Sequence, residues 1–513
     1  MFSQPQGWFG LREPSRAFSA IVRKDGSTVW AEDASGKTIA SGEAGVDDAS
    51  VIQSALDSLA ANSKSPFSWE NWFESQTGSI YLCKGQYLLN KTIKILGNNI
   101  GLVSDCACLI PVNFQDLQPV IQIGEADTET SAYYNRIEGI FIKGSGKEAG
   151  ISNIYNGAPI IRNVNIYKVR RGLVFERCWG DHGIISNCGI MAAASSSDGA
   201  IHFVPSESGY NNHVLFYKVH VGVSSGYEGY SLYMEQKAVY GGIEFIDCHL
   251  GEPQGDIYID SDNVDISFVD VDITSKAIIK GDRVCIKALN ATNLDLLGNR
   301  IKADIFYYEP SDTMHILGDP VKINIRRIYT GTHIDKIIQL GNADGNFYGE
   351  IEISGVFSGA KAQYIVYCYP GGRDVILDNI ICRNMNPDGY YTNAYVVGGS
   401  SNNPIIIRHM TCHELNHFDP IEDLTKVEII SVEGDAKFKN SGTATFSGDG
   451  TTTQFSIAHG LVSTPTKVLV TPMTADAASD FYVTADDTNI YINYKSAPPS
   501  GTDNLKFSWY AEV

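Results

Sequence analysis

The chain has 513 residues, of which 19% are charged, with 49 glycines and a formal net charge of −20. That length supports a large core and more than one domain. The acidic balance excludes a nucleic-acid binder, which needs a basic footprint, and disfavours a strongly anionic substrate. No stretch approaches ~18 consecutive apolar residues, so no membrane insertion is expected. The opening Met1-Phe-Ser-Gln-Pro-Gln-Gly-Trp-Phe-Gly lacks the basic start and apolar run of a signal peptide, so synthesis in a reducing cytoplasm is expected. Ten cysteines are scattered without metal-ligand spacing. They read as buried free thiols, and neither a metal nor another cofactor is expected.

Residues 1–45 read as a small strand or attachment segment, with a hairpin at Asp25-Gly26. Val51, Ile52, Ala55, Leu56 and Leu59 then make one face of a helix at about 47–60, with Asp47 or Asp48 as N-cap. An aromatic loop (Phe67, Trp69, Trp72, Phe73) leads to two short strands turning at Lys84-Gly85. The Asp47-Asp48 helix with Ile52-Gln53, followed by Gly78-Ser-Ile-Tyr-Leu-Cys-Lys-Gly-Gln-Tyr87, resembles the opening of the pectate-lyase-superfamily right-handed parallel β-helix found in many viral tailspikes, of phages and archaeal viruses. Cys83-Lys84 stand where that family often has a proline. The close resemblance covers residues 46–96. It implies a helix capping the first coil, a homotrimer, other virion tail proteins as partners of the N-terminal segment, a host cell-surface polysaccharide as ligand, and a place in the virion tail.

From Ile137 to Ile273 one phrase is written six times: Ile137-Glu-Gly-Ile140-Phe-Ile142, Ile161-Arg-Asn-Val164-Asn-Ile166, Ile185-Ser-Asn-Cys188-Gly-Ile190, Phe216-Tyr-Lys-Val219-His-Val221, Phe245-Ile-Asp-Cys248-His-Leu250 and Phe268-Val-Asp-Val271-Asp-Ile273. The period runs 24, 24, 31, 29 and 23 residues. A repeat this long with strand-like alternation predicts an all-β solenoid, a parallel β-helix over 46–435, whose stacked coils share one core. Asn163, Asn187, Asp247 and Asp270 share one position and read as turn residues. The repeat weakens at about 284–320 and returns afterwards. Residues 441–513 are Thr/Ser/Gly-rich, with six short strands that predict a C-terminal β-sandwich. It resembles the C-terminal domains of viral tail spikes and fibres, which implies a role in trimerisation or ligand binding.

Each coil carries another strand, and aligning the inward pairs Leu173/Phe175, Ile201/Phe203, Leu232/Met234 and Ile257/Ile259 gives two outward rows. One is Glu176, Val204, Glu235, Asp260; the other is Val174, His202, Tyr233, Tyr258. Equivalent residues of neighbouring coils lie ~4.8 Å apart. Two carboxylates that close resist ionising together, which suits Glu235 and Asp260 to general-acid work; Glu176, two rungs from Glu235, lies at roughly 9 Å, the span of an inverting glycosidase pair. Trp179, Asp181, His182, His202, Tyr230, Tyr233 and Tyr258 are the expected sugar contacts, since rings stack on sugar C–H faces and acids bind hydroxyls. His220, His249 and Asp272 form a secondary candidate row on another face. The stretch Asn384-Met-Asn-Pro-Asp388-Gly-Tyr390-Tyr391 is a second aromatic candidate. Hydrolysis, β-elimination and binding without cleavage all remain open here. Lys168, Arg170 and Arg171 are available to a lyase, but nothing in the sequence gathers acids around them.

Overall fold

The six phrases stack in register. Ile137, Ile161, Ile185, Phe216, Phe245 and Phe268 pair one above the next through parallel strands. Ile142, Ile166, Ile190, Val221, Leu250 and Ile273 form a parallel column of their own. All of these side chains are buried. The phenylalanines stack face to face, Phe216 on Phe245 at 4.8 Å and Phe245 on Phe268 at 5.3 Å between ring centroids.

These contacts belong to a computed structural model that describes residues 18–61, 78–125, 132–205, 212–235, 241–298 and, with short gaps, 300–434 and 437–513. The aromatic loop at 67–73 and residues 1–17 lie outside the described residues. The chain divides into two compact units, Met1–Tyr308 with Gly318–Val321, and Glu309–Leu317 with Lys322–Val513. Among the described residues the fold is a parallel β-helix with one short α-helix and further antiparallel sheets.

Between the two columns each coil must turn. The third residue of every phrase sits there with positive φ: Gly139, Asn163, Asn187, Lys218, Asp247 and Asp270, all between 51° and 70°. Asn, Asp and Gly tolerate this left-handed region best, which explains the shared position. At Gly139 a Cβ would lie 1.7 Å from the carbonyl oxygen of Ser104, so that coil admits only glycine. The fourth-position thiols Cys188 and Cys248 are buried just past this corner. Burial pushes both up to about 11, so they remain protonated.

A third row of strands completes each coil of the first unit. It runs through Pro119–Ile123, Ala149–Ile154, Arg171–Glu176, Gly199–Phe203 and Tyr230–Met234 to Ile257–Ile259. The weak repeat at 284–320 has a simple cause. The coil shortens, so that Val284 pairs directly with Ile301, and after the corner at Asp270 the strand Ile257–Gly298 runs on to its end without a further left-handed residue among those described to mark one.

The helix Asp48–Ala60 covers the first coil with Val51, Ile52, Ala55, Leu56 and Leu59. Asp47 stands at the N-cap as expected, but its side chain makes no cap bond and instead accepts from the Glu43 N–H at 2.9 Å. Asp48, fully buried, accepts from Lys24 Nζ (2.5 Å), the Leu88 N–H (2.7 Å) and the Gly45 N–H (2.9 Å). Gln53 accepts from the Lys94 N–H at 2.8 Å and donates to the Lys94 carbonyl at 2.9 Å. The Asp-Asp…Gln motif thus satisfies polar groups that a bare first coil would leave unpaired. The hairpin of Ala20–Lys24 and Thr28–Asp33 turns at Asp25, whose carboxylate accepts the Ser27 and Thr28 N–H groups. Its first strand continues the stack by pairing in parallel with Ser79–Leu82.

In the second unit, Ile334–Leu340, Ala362–Cys368, Ala394–Gly399 and Phe418–Ile421 form one parallel row. Ile351–Ser358, Val375–Met385 and Met410–Leu415 form another. From Lys439 onward the strands are antiparallel, in two three-stranded sheets. Phe455, Ile457, Ile490 and Ile492 of one sheet and Leu505, Phe507 and Trp509 of the other share a core. His459 is buried there, with Nδ1 accepting from the Leu461 N–H and Nε2 donating to the Asp486 carbonyl, a structural role.

Candidate functional site

The third row of the first unit carries the candidate site. Its register is the one the inward pairs require: Val174, His202, Tyr233 and Tyr258 lie in one column. Tyr233 stacks on Tyr258 at 5.5 Å and on Tyr230 at 4.9 Å, and Tyr230 meets Tyr258 at 5.9 Å. Alternation places the half-buried rings of Tyr233 and Tyr258 on the outer side of the strands, and Tyr230, at the start of its strand, packs against both, so three tyrosines form one aromatic surface across two coils.

Two positions beyond Tyr233 and Tyr258 stand Glu235 and Asp260, on consecutive rungs. Asp260 is held by Lys280 Nζ at 2.9 Å and by the Tyr258 hydroxyl at 3.2 Å. Lys280 extends the carboxylate row by one rung, in a stretch, Ala277-Ile-Ile279-Lys280, that repeats the inward pattern of Ile257-Tyr-Ile259-Asp260. That pattern could have identified it from the sequence. Glu176 ends its strand next to the paired Phe175 and Phe203, at the other end of the row.

His202 departs from the expected role. It is fully buried beneath Tyr233, with ring centroids 5.1 Å apart, and so cannot touch a sugar directly. Its Nδ1 accepts the Gly199 N–H at 3.2 Å, which puts the proton of the neutral ring on Nε2. Nε2 faces the Glu235 carboxylate at 3.5 Å, while the Glu235 side chain is 40% exposed. Burial, with the nearby Arg171 cation, holds the His202 pKa down at about 3.

Beside it lies a cluster that the sequence did not reveal. Asp198 is fully buried and accepts from Arg170 Nε and Arg171 Nε, both at 2.6 Å, and from the Ser195 hydroxyl. Despite burial, these hydrogen bonds keep its carboxyl below the usual range. Arg170 also reaches Asp116 at 2.5 Å. Acids do gather around Arg170 and Arg171, contrary to the sequence reading, but they bind both guanidinium groups. The Asp198 carbonyl accepts the Tyr230 N–H at 2.8 Å, so the cluster also fixes the start of the tyrosine strand.

The remaining candidates fall elsewhere. Trp179 belongs to the strand Trp179–Ser186, but the side chains of Trp179, Asp181 and His182 lie outside the described residues. His220, His249 and Asp272 stack in register as expected, but in the second row, not the tyrosines' third. They are partnered: His249 with Asp272 at 3.1 Å, Asp272 with Asn290 at 2.6 Å, and His220 with Glu252 at 3.9 Å. This is a polar ladder along the coil surface.

No protein-family model matches the chain, and no curated protein matches it in sequence. Among solved structures it is similar to a double mutant of the tailspike protein of E. coli bacteriophage HK620 (TM-score 0.42, 11% identity, 94% of this chain and 92% of that one). It is also similar to the tailspike protein gp49 of Pseudomonas phage LKA1 (TM-score 0.39, 10% identity, 90% and 93%) and to ORF18 of Geobacillus virus E2 (TM-score 0.37, 13% identity, 90% and 76%). The HK620 tailspike has also been solved in complex with a pentasaccharide. In structure, then, this parallel β-helix is similar to phage tailspike proteins.

Proposed function

We propose that the protein is a virion spike that binds a host cell-surface polysaccharide along the third-row face of its first unit and cleaves it with Glu235 and Asp260. The observation that carries this reading is the in-register pair Tyr233/Tyr258, joined by Tyr230, beside two carboxylates on consecutive rungs. Tyrosine rings offer an apolar face and a polar edge, the combination a sugar ring requires. In hydrolysis one carboxylic acid protonates the leaving glycosidic oxygen as its C–O bond breaks. The other carboxylate either takes a proton from the attacking water or forms the glycosyl intermediate itself. Neighbouring rungs at ~4.8 Å fit the close spacing of a retaining pair; Glu176 with Glu235 would instead fit inversion.

Homotrimeric assembly, attachment to other tail proteins through the N-terminal segment and a trimerisation or ligand role for residues 441–513 belong to the same proposal. The first two rest on the resemblance carried by residues 46–96, the third on the resemblance of residues 441–513 to the C-terminal domains of tail spikes and fibres.

One observation favours a second reading, binding without cleavage: Lys280 and Tyr258 already occupy both oxygens of Asp260. A β-eliminating lyase has less support, because Arg171 and Lys280 are each bound to a carboxylate. The binding claim is tested by titrating isolated host polysaccharide against wild type and Tyr233→Ala. The variant is expected to bind about three- to tenfold more weakly, the worth of one aromatic contact. Equal affinities would refute the placement of the ligand on this face.

A further inference from the structure

The second unit carries an aromatic surface of its own. In its parallel row Lys336, Tyr364 and Tyr395 lie in one column, and Gln339, Tyr367 and Gly398 in the next outward one. Tyr364 stacks on Tyr395 at 5.7 Å, meets Tyr367 edge-on at 4.9 Å, and Tyr367 meets Tyr369 edge-on at 5.1 Å. At the start of the same row, Tyr390 lies flat on His333 at 3.9 Å and is 64% exposed. The loop that carries it is pinned by His333 to Asp388 at 2.9 Å and by the Tyr391 hydroxyl to the Ile334 carbonyl at 2.9 Å.

Two features distinguish this surface from a ladder that merely stiffens the sheet. Gly398 leaves the space the Tyr364 ring occupies: a Cβ there would lie 2.3 Å from Tyr364 Cδ1. The row gives up one side chain so that the ring can lie across the neighbouring rung. The Tyr364 hydroxyl is then fixed by Glu422 Oε1 at 3.1 Å, while Glu422 Oε2 accepts the Gly399 N–H at 2.7 Å. A ring oriented at both its face and its hydroxyl is pre-set for a ligand.

The charges select the ligand. Lys336 lies 4.7 Å from the Tyr367 ring centroid but is paired with Asp335 at 2.8 Å, and Lys361 is paired with Asp388 at 3.4 Å. The cations named here are thus matched by carboxylates, and Glu422 adds a further acid, so the surface offers stacking faces and hydroxyl acceptors but no excess positive charge. From this we infer that the tyrosine band of the second unit is a second glycan-binding surface, one that takes a neutral polysaccharide chain. It shares a ligand class with the reading of the first unit, but no residues.

The test is an array of neutral and uronate-containing oligosaccharides probed with wild type, Tyr367→Ala, Tyr367→Phe and Tyr233→Ala, each checked for folding by its thermal midpoint. The expected result is a set of neutral glycans whose signal falls about three- to tenfold in Tyr367→Ala, persists in Tyr367→Phe and is unchanged in Tyr233→Ala. Should Tyr367→Ala fail to fold, Tyr390→Ala at the exposed end of the band is expected to give the same loss. Signals lost only in Tyr233→Ala would overturn this inference and leave the first-unit reading standing, and signals lost only in the second-unit variants would do the reverse. An array on which no neutral glycan distinguishes the second-unit variants from wild type would also overturn it.

Discussion

Lys218 stands at a corner that the other phrases give to Gly, Asn or Asp. Its φ of 53° matches theirs, and its side chain is half exposed, with Asp247 3.6 Å away. An exposed pair at that distance contributes little, whereas a long side chain in the left-handed region is disfavoured. Lys218→Asn is therefore expected to stabilise the protein by about 0.5–1 kcal/mol, read as a raised thermal midpoint. His202 makes a prediction of the opposite kind. Its pKa is about 3 when folded, against an ordinary value of 6.5, so the unfolded chain takes up the proton first. The stability linked to this ring is complete above pH 6.5 and is lost as the pH falls towards 3. By pH 4 the loss amounts to about 3 kcal/mol. Asp198, held below its ordinary range, acts in the same direction as the pH falls further. His202→Asn can keep an acceptor for the Gly199 N–H without the titrating ring. Thermal midpoints between pH 7 and 4 should fall less steeply in that variant than in wild type, and parallel curves would contradict the account of His202. The sequence placed His202 in the correct column but on the wrong side of the surface. Alternation tells which way a side chain leaves a strand, not whether a neighbouring tyrosine then covers it.

At the scale of the element, register was the most legible feature. The six phrases and the third-row inward pairs align as spaced, because an apolar column must stay continuous from coil to coil. The coils near 284–320 were obscure because they lack the turn residues that punctuate the others. The Arg170/Arg171/Asp198 cluster was missed for a different reason: the alignment of Leu173 with Ile201 already puts Asp198 on the rung beside Arg170, but both lie just before the aligned strands, where inward and outward positions were not read. The helix Asp48–Ala60 shows how an element is fastened to a solenoid by side chains that imitate a strand edge. Gln53→Ala would leave the N–H and carbonyl of Lys94 without their partner, at a cost of about 1–3 kcal/mol. Limited proteolysis should show it as faster cleavage near the N-terminal coil, with Gln53→Glu, which keeps only an acceptor, intermediate.

For the whole molecule, the sequence correctly indicated a stacked core, and the antiparallel strands after Lys439 are joined by turns that include Gly448-Asp-Gly450 and Asp486-Asp487. Asp449 and Asp486 accept the N–H groups two and three residues on, which is why those turns announce themselves in sequence. The candidate site was legible in part: the tyrosine row was read from the sequence, but not that Tyr233 covers His202 or that Lys280 ties up Asp260. The most direct measurement is digestion of purified host-surface polysaccharide by wild type and by Glu235→Gln, followed by product mass and by the ultraviolet absorbance of unsaturated uronates. The account predicts shorter chains that gain one water per break, no new absorbance, and a rate reduced at least about a hundredfold in the variant. Polysaccharide that keeps its length with wild type, or that the variant cuts as fast as wild type, would contradict it.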